Sequence, residues 1–271
     1  MLSNKKIAVL GVGKIGGTLV SSLLKNKIVP AENLLGSTRH SANHEKISSQ
    51  FGIKLFSNNA EMVKLANIII LAVKPQNMKQ ALAEIKDSIT PKHLMITLAA
   101  ATSTRFVEQL LKEGIPVIRA MPNTPCLVNE GMTVLCPGRF SGPEHLKMAK
   151  QIFSSFGRVE ILDNEDLMDA VTALSGSGPG YIYIMIESLA EGGVKAGLPR
   201  DLATTLAAQS MLGASKMVLE TGEHPAKLKD SVTTPAGVTM DGIMELEDGG
   251  IRVTLIKAIS KAAERSREIS Q

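Results

Sequence analysis

The sequence predicts an α/β fold in two domains: a doubly wound, mostly parallel sheet over residues 1–164 and an all-helical domain over residues 165–271. Three observations carry this. Short β-branched runs alternate with helical periods through the first part, the pattern of strand–helix–strand units. After about Asn164 the strand signal stops, and helical stretches separated by Gly- and Pro-marked breaks follow. Aromatics make up only 3 % of the 271 residues, with no Trp and with 13 Met. Such a chain builds an aliphatic core, with Met as adaptable filler.

Strands are expected at 7–10, 34–37, 53–56, 68–73, 94–98, 117–119, 133–136 and 159–162. Between the first two, Ile15, Leu19, Val20, Leu23 and Leu24 keep helical spacing. In the second part the breaks fall at 175–179, 197–199, 222–225, 235–237 and 248–250. The stretch 199–220 reads as one helix with Pro199 at its first position. It is apolar around most of its circumference, through residues such as Leu202, Leu206, Met211 and Met217. A helix apolar all round is buried on several sides, and a small helical domain has little interior to offer. A partner subunit is therefore expected.

The net charge is +4, scattered without blocks of like charge. Nucleic-acid binding would call for a basic stripe with stacking aromatics, and neither is visible. Cys126 and Cys136 give no disulfide framework and no metal-ligand cluster, so no metal is expected. The apolar stretch after Lys5 and Lys6 is one strand long, a poor signal peptide. The longest apolar runs, 68–73 and 181–186, fall far short of a membrane span. The cytoplasm is the expected compartment, with no membrane and no nucleic-acid partner.

Gly11-Val12-Gly13-Lys14-Ile15-Gly16 is a GxGxxG placed directly after a strand and at the opening of a helix. In that setting the first Gly makes the turn, the second admits a pyrophosphate, and the third lets helix and strand pack closely. This is the fingerprint of a Rossmann-type dinucleotide site. The second strand should end on the ribose reader, which in NAD enzymes is acidic. Here Gly36-Ser37-Thr38-Arg39-His40 offers hydroxyls and a guanidinium instead, which suits a 2′-phosphate. NADPH is the expected cofactor, with NADH as the alternative. The bland reading leaves Arg39 as a solvated loop residue.

Ala72-Val73-Lys74-Pro75 closes the fourth strand and brings Lys74 to the ligand edge, or leaves it as a surface Lys beside a strand-ending Pro. Arg119-Ala120-Met121-Pro122-Asn123-Thr124-Pro125 reads as a rigid loop of open purpose after the sixth strand. Ser175-Gly176-Ser177-Gly178-Pro179 interrupts a helical pattern, for close packing or for a ligand. Within 231–239, Thr234 could cap a helix whose first residue is Pro235. That start is either an ordinary cap or a carboxylate site. The five His residues, His40, His44, His93, His145 and His224, lie in polar stretches and read as surface groups.

Taken together, these stretches resemble the pyrroline-5-carboxylate reductase family, nearly end to end. The resemblance rests on 11–16, 72–75, 119–125, 175–179, 192–199 and 232–239. It implies reduction of 1-pyrroline-5-carboxylate to L-proline by NADPH or NADH, the last step of proline biosynthesis. It also implies a homodimer interlocked through the helical domain, assembling into larger rings such as decamers. By position, Gly11 to Gly16, Ser37, Thr38, Arg39, Asn59, Ala72, Val73, Lys74, Pro75, Ala99 and Ala100 would line the cofactor groove. Glu165, Ser231, Thr234, Gly237, Val238 and Thr239 would meet the substrate, with Thr239 the catalytic hydroxyl. Two positions depart from the family pattern: Ala236 where Gly is frequent, and Ser231 where Asn is. Two other readings compete. A β-hydroxyacid dehydrogenase would use Lys195 as acid–base. An NADP-sensing regulator would bind without turnover.

Overall fold

The computed structural model describes residues 2, 4–39 and 41–270; His40 lies outside the described residues. The chain opens with β1 (Ile7–Leu10), α1 (Lys14–Lys25), β2 (Leu34–Ser37), α2 (His44–Phe51), β3 (Lys54–Phe56) and α3 (Asn59–Lys64). Then come β4 (Ile68–Leu71), α4 (Met78–Ile85), β5 (Leu94–Thr97), α5 (Thr104–Leu110) and β6 (Val117–Pro122). β7 (Gly131–Pro137), α6 (Pro143–Phe153), β8 (Gly157–Ile161) and α7 (Met168–Val171) complete the α/β part. The helices α8 (Gly178–Lys195), α9 (Arg200–Thr221), α10 (Pro225–Ser231), α11 (Val238–Asp248) and α12 (Ile251–Ser270) follow.

Among the described residues, eight strands form one sheet in the order β3-β2-β1-β4-β5-β6-β7-β8. Every neighbouring pair is parallel except β6 and β7. Every residue of β1, β2, β4 and β5 is buried, as expected for parallel strands covered on both faces. On one face Ile7, Val9, Ile68 and Ile70 meet Leu19, Val20 and Leu23 of α1 and Phe153 of α6. On the other, Ala8, Leu10, Ile69 and Leu71 meet Met62, Met78, Leu82 and Val107. The order of connection reverses between β1 and β4, which opens a crevice at the carboxyl edge there.

Each expected strand is present, β1 and β2 at the expected bounds, and three of the shifted ends have physical causes. β4 stops at Leu71 rather than at 73, because β1 turns away at Gly11 (φ +97) and offers no partner beyond Leu10. β5 likewise ends at Thr97, opposite Leu71. β6 runs on to Pro122 instead of ending at 119, because antiparallel β7 pairs it from Ile118 to Pro122. Most of the expected rigid loop 119–125 is therefore strand. Since β5 reaches only to Arg119, the missing N–H of Pro122 leaves no ladder bond unmade on that side.

By packing, the chain divides into two compact units. One runs up to Gly176 and takes in the end of α12 from Ala262; the other is 177–261. The first passes residue 164 because Met168 is fully buried against Val134 and Cys136. Ser266 Oγ also donates to Asp169 at 2.6 Å, which holds the end of α12. The interruption read at 175–179 begins with a π-helical turn over Thr172–Gly176.

In the second unit α8 and α9 pack through Ala190, Ala203 and Ala207. Pro199 is the cap of α9 and not its first helical residue, since its ψ of 140° is extended. Leu202, Leu206 and Met217 of α9 stay about half exposed in the single chain (47 %, 48 % and 51 %). Among the described residues no helix is long and apolar enough to cross a membrane.

Candidate functional site

The loops after β1, β2 and β4 build one groove at the crevice, with a volume of about 670 Å³. Its lining includes Gly11, Gly13, Ser37, Thr38, Arg39, Asn59, Ala72, Val73 and Lys74. The loops are tied to one another by backbone. Gly11 N and Val12 N donate to Ser37 O at 3.0 and 2.8 Å, and Ala72 N donates to Leu10 O at 2.9 Å. A Cβ on Gly11 would stand 2.8 Å from Ala72 O, and one on Gly16 only 2.2 Å from Gly11 O. Both positions accept glycine alone. A Cβ on Gly13 would meet nothing within 4 Å, so that side of the turn is open to a ligand.

Gly13 is also the N-cap of α1, whose first turn carries no acidic side chain and no side-chain cap. Its free N–H groups favour a phosphate. Arg39 and Lys74 are exposed beside the groove, while Ser37 is buried at 6 % exposure. Glycines that leave backbone bare, a helix start and two open cations fit the pyrophosphate and 2′-phosphate of NADPH.

Several cofactor candidates do not line this groove. Val12 and Gly16 are buried beneath it, and Lys14, Ile15 and Pro75 are exposed outside it. Ala99 and Ala100 follow β5, one strand further along the edge. Conversely, Phe56, Gln80 and Glu84 line the groove, although nothing in their local sequence marks them. Glu84 accepts from Asn59 Nδ2 at 2.6 Å and from Gln80 Nε2 at 3.2 Å.

The substrate candidates of the second unit gather at the junction of α10 and α11. Thr234 is not a helix cap. Its carbonyl accepts from Gly237 N at 2.9 Å across a turn with Pro235 second and Ala236 third, at φ +57. That left-handed residue cannot continue into a helix, so α11 begins at Val238 with Gly237 as its cap. A Cβ on Gly237 would meet Thr234 Oγ1 at 2.3 Å. Thr239 is the second residue of α11 and is exposed, and no side chain caps that helix start. Ser231 Oγ donates to Leu228 O at 2.7 Å.

Glu165 belongs to the first unit. Its carboxylate accepts from Thr104 N at 2.7 Å and from Thr104 Oγ1 at 2.6 Å, with Arg119 Nη1 at 3.6 Å. Asn123 joins two motifs that are distant in sequence: its Nδ2 donates to Ser175 O at 3.1 Å and its Oδ1 accepts from Met132 N at 2.8 Å.

Three of the His residues hold local turns, and of these His224 is exposed as expected while His145 is half-buried. His93 is buried, and its Nδ1 accepts from Thr90 N at 2.9 Å. The rings of His145 and His224 accept from Gly142 N and Ala226 N. Burial lowers the pKa of His145. Lys195 is exposed in the last turn of α8.

A switch-point groove with a glycine cradle and a cationic ribose end defines a Rossmann-type nicotinamide-dinucleotide oxidoreductase. Comparison with known proteins narrows the class. Residues 165–269 match the family described as pyrroline-5-carboxylate reductase dimerisation, and residues 6–101 match NADP oxidoreductase, coenzyme F420-dependent. The chain is 43 % identical to the pyrroline-5-carboxylate reductase of Methanosarcina acetivorans over 270 residues, all of both chains. The Coxiella burnetii enzyme's structure superposes with a TM-score of 0.92 at 32 % identity, covering 99 % of this chain and 100 % of that one. The Plasmodium falciparum pyrroline carboxylate reductase, solved with NADP bound, gives 0.88 at 31 % identity, covering 99 % of each. The chain belongs to the pyrroline-5-carboxylate reductase family.

Proposed function

We propose that this chain reduces the C=N bond of 1-pyrroline-5-carboxylate to give L-proline, the last step of proline biosynthesis, using NADPH or, in its place, NADH. The full-length likeness to reductases of this name supports the substrate. The observation that carries the reaction class is the groove, where bare glycine backbone, the start of α1 and the exposed Arg39 answer the phosphates of one ligand.

When bound, NADPH supplies the hydride; the chain's residues hold and orient. The turn from Gly11 to Gly16 cradles the pyrophosphate, and Ser37, Thr38 and Arg39 take the 2′-phosphate. Asn59 and Ala72 to Pro75 border the groove, with Ala99 and Ala100 beyond β5. A protonated cyclic imine is already electrophilic at carbon and asks for no strong protein acid. Thr239 Oγ1 accepts from the iminium N–H and donates to the amine as the charge collapses, since a hydroxyl holds both functions. The N–H groups of Val238 and Thr239, beside Gly237 at a helix start without a side-chain cap, suit the substrate carboxylate. Ser231, Thr234 and Glu165 complete the expected substrate set.

On this reading residues 1–164 bind the dinucleotide, and residues 165–271 bind substrate and dimerise. The half-exposed Leu202, Leu206 and Met217 are covered by a second copy, in a homodimer that builds larger rings such as decamers. The protein works in the cytoplasm on a small molecule, apart from nucleic acid and membrane. The test is loss of NADPH absorbance on adding 1-pyrroline-5-carboxylate, run beside NADP reduction with β-hydroxy acids. Turnover with the imine alone supports the proposal. Turnover with hydroxy acids, or binding of NADPH without any turnover, refutes it.

A further inference from the structure

Arg119 sits on β6, paired in register with Thr97 of β5 and Cys136 of β7. Its side chain is 5 % exposed. Its alternating neighbours Val117 and Met121 belong to apolar clusters. Nε and Nη2 have no hydrogen-bond partner, and the counter-charge is Glu165, with 3.6 Å between Nη1 and Oε1. A desolvated guanidinium holds its carboxylate firmly, because losing either partner would leave a buried charge unpaired. Glu165 spends its two shortest bonds on Thr104 N and Thr104 Oγ1, at 2.7 and 2.6 Å. Thr104 is 4 % exposed and is the first residue of α5.

Immediately before Thr104 runs the loop 98–103 at the carboxyl end of β5. In it Ala101 holds φ +58, a left-handed conformation that an L-residue keeps only where its surroundings over-determine it. Ser103 caps α5 by accepting from Phe106 N at 3.1 Å. The loop is thus pinned at its far end by Glu165. A dinucleotide lying across the switch point puts its ribose reader at β2, so its other half extends over β4 and β5.

We infer that Arg119, Glu165 and Thr104 form a clamp that sets the position of the loop 98–103 beside the nicotinamide half of the groove. Glu165 is then a positioning residue and not a substrate ligand. The inference rests on reading the groove as the dinucleotide site. It revises the role that family position gives Glu165, since the carboxylate is already engaged by Thr104 and Arg119.

The experiment uses the full-length protein with Glu165→Gln, Thr104→Val and the double variant. Calorimetry measures binding of NADPH and of 2′-phospho-ADP-ribose, which lacks the nicotinamide; steady-state kinetics give kcat and the KM for 1-pyrroline-5-carboxylate. Each single variant is expected to lower kcat about ten- to hundred-fold through lost positioning and to weaken NADPH. Binding of 2′-phospho-ADP-ribose should stay within about twofold, and the double variant should be no worse than the poorer single one. Thr104→Val is near-isosteric and keeps the test open if Glu165→Gln fails to fold. A raised KM for the imine in Glu165→Gln alone, with Thr104→Val like wild type, would make Glu165 a substrate ligand and overturn the clamp. Equal weakening of both nucleotides would reduce the cluster to a general structural role and also overturn it. Wild-type protein that binds neither nucleotide would instead remove the reading of the groove itself, and the clamp with it.

Discussion

Replacing the glycines of the cradle one at a time separates what the turn does for the fold from what it does for the cofactor. In Gly16→Ala the new Cβ would lie 2.2 Å from Gly11 O and 3.2 Å from Ala72 Cβ. The first contact is roughly 1 Å inside ordinary separation, and the atom struck is backbone, which cannot rotate away. Overpacking of this kind costs about 1–3 kcal/mol, partly offset by the 0.5–1 kcal/mol or so that Ala gains over Gly in a helix. The net cost, up to about 2.5 kcal/mol, corresponds to a fall in Tm of up to roughly 10 °C. The displaced turn should weaken NADPH by about thirty-fold, near 2 kcal/mol.

Gly13→Ala meets nothing within 4 Å, so Tm should hold while NADPH weakens by about tenfold or more. Gly17→Ala finds only the Phe51 ring, with Cζ at 3.8 Å and Cε2 at 3.9 Å, and should bind NADPH like wild type with an unchanged or slightly raised Tm. Thermal unfolding followed by circular dichroism and a fluorescence titration with NADPH read the three variants side by side. If Gly16→Ala melts and binds like wild type, or Gly17→Ala behaves like Gly16→Ala, the account of the cradle is wrong.

Arg39→Ala should weaken NADPH by roughly ten- to hundred-fold, the worth of a charge-assisted pair, and leave NADH nearly untouched; equal losses would remove Arg39 from 2′-phosphate recognition. Thr239→Val should lower kcat/KM by about ten- to thousand-fold, or roughly 1.4–4 kcal/mol of transition-state stabilisation. NADPH affinity should be unchanged and Thr239→Ser should recover most of the rate; wild-type turnover by Thr239→Val would show that positioning alone suffices. Ala236 carries φ +57, so Ala236→Gly should raise stability by up to about 1 kcal/mol in a denaturant titration, and a loss would contradict the turn geometry.

Much of the α/β part is legible in the sequence because its strands are buried on both faces. Ile68, Ile69 and Ile70 are apolar in succession and buried in succession, so the signal is strong and local. The GxGxxG is legible for a similar reason, since the contacts that require Gly11 and Gly16 lie within one strand–helix unit and the strand beside it. What escapes sequence reading depends on partners distant along the chain. Pro122 looks like a loop residue until β7 pairs with β6. Glu84 reaches the groove from α4 through Asn59, and Glu165 finds Thr104 and Arg119 across 61 and 46 positions (165 − 104 and 165 − 119). His93 reads as polar surface, yet it is buried against the turn it closes. Thr234 resembles a cap by residue type, and only the left-handed Ala236 shows why the helix waits until Val238.

The central claim is that hydride passes to the imine carbon of 1-pyrroline-5-carboxylate. Incubating the protein with that substrate and NADPH deuterated at both C4 positions, then locating the label by mass spectrometry and NMR, tests it most directly. The account predicts L-proline carrying one deuterium at C5, the former imine carbon, formed in step with NADP. Proline without the label, or NADPH consumed without proline, would contradict it.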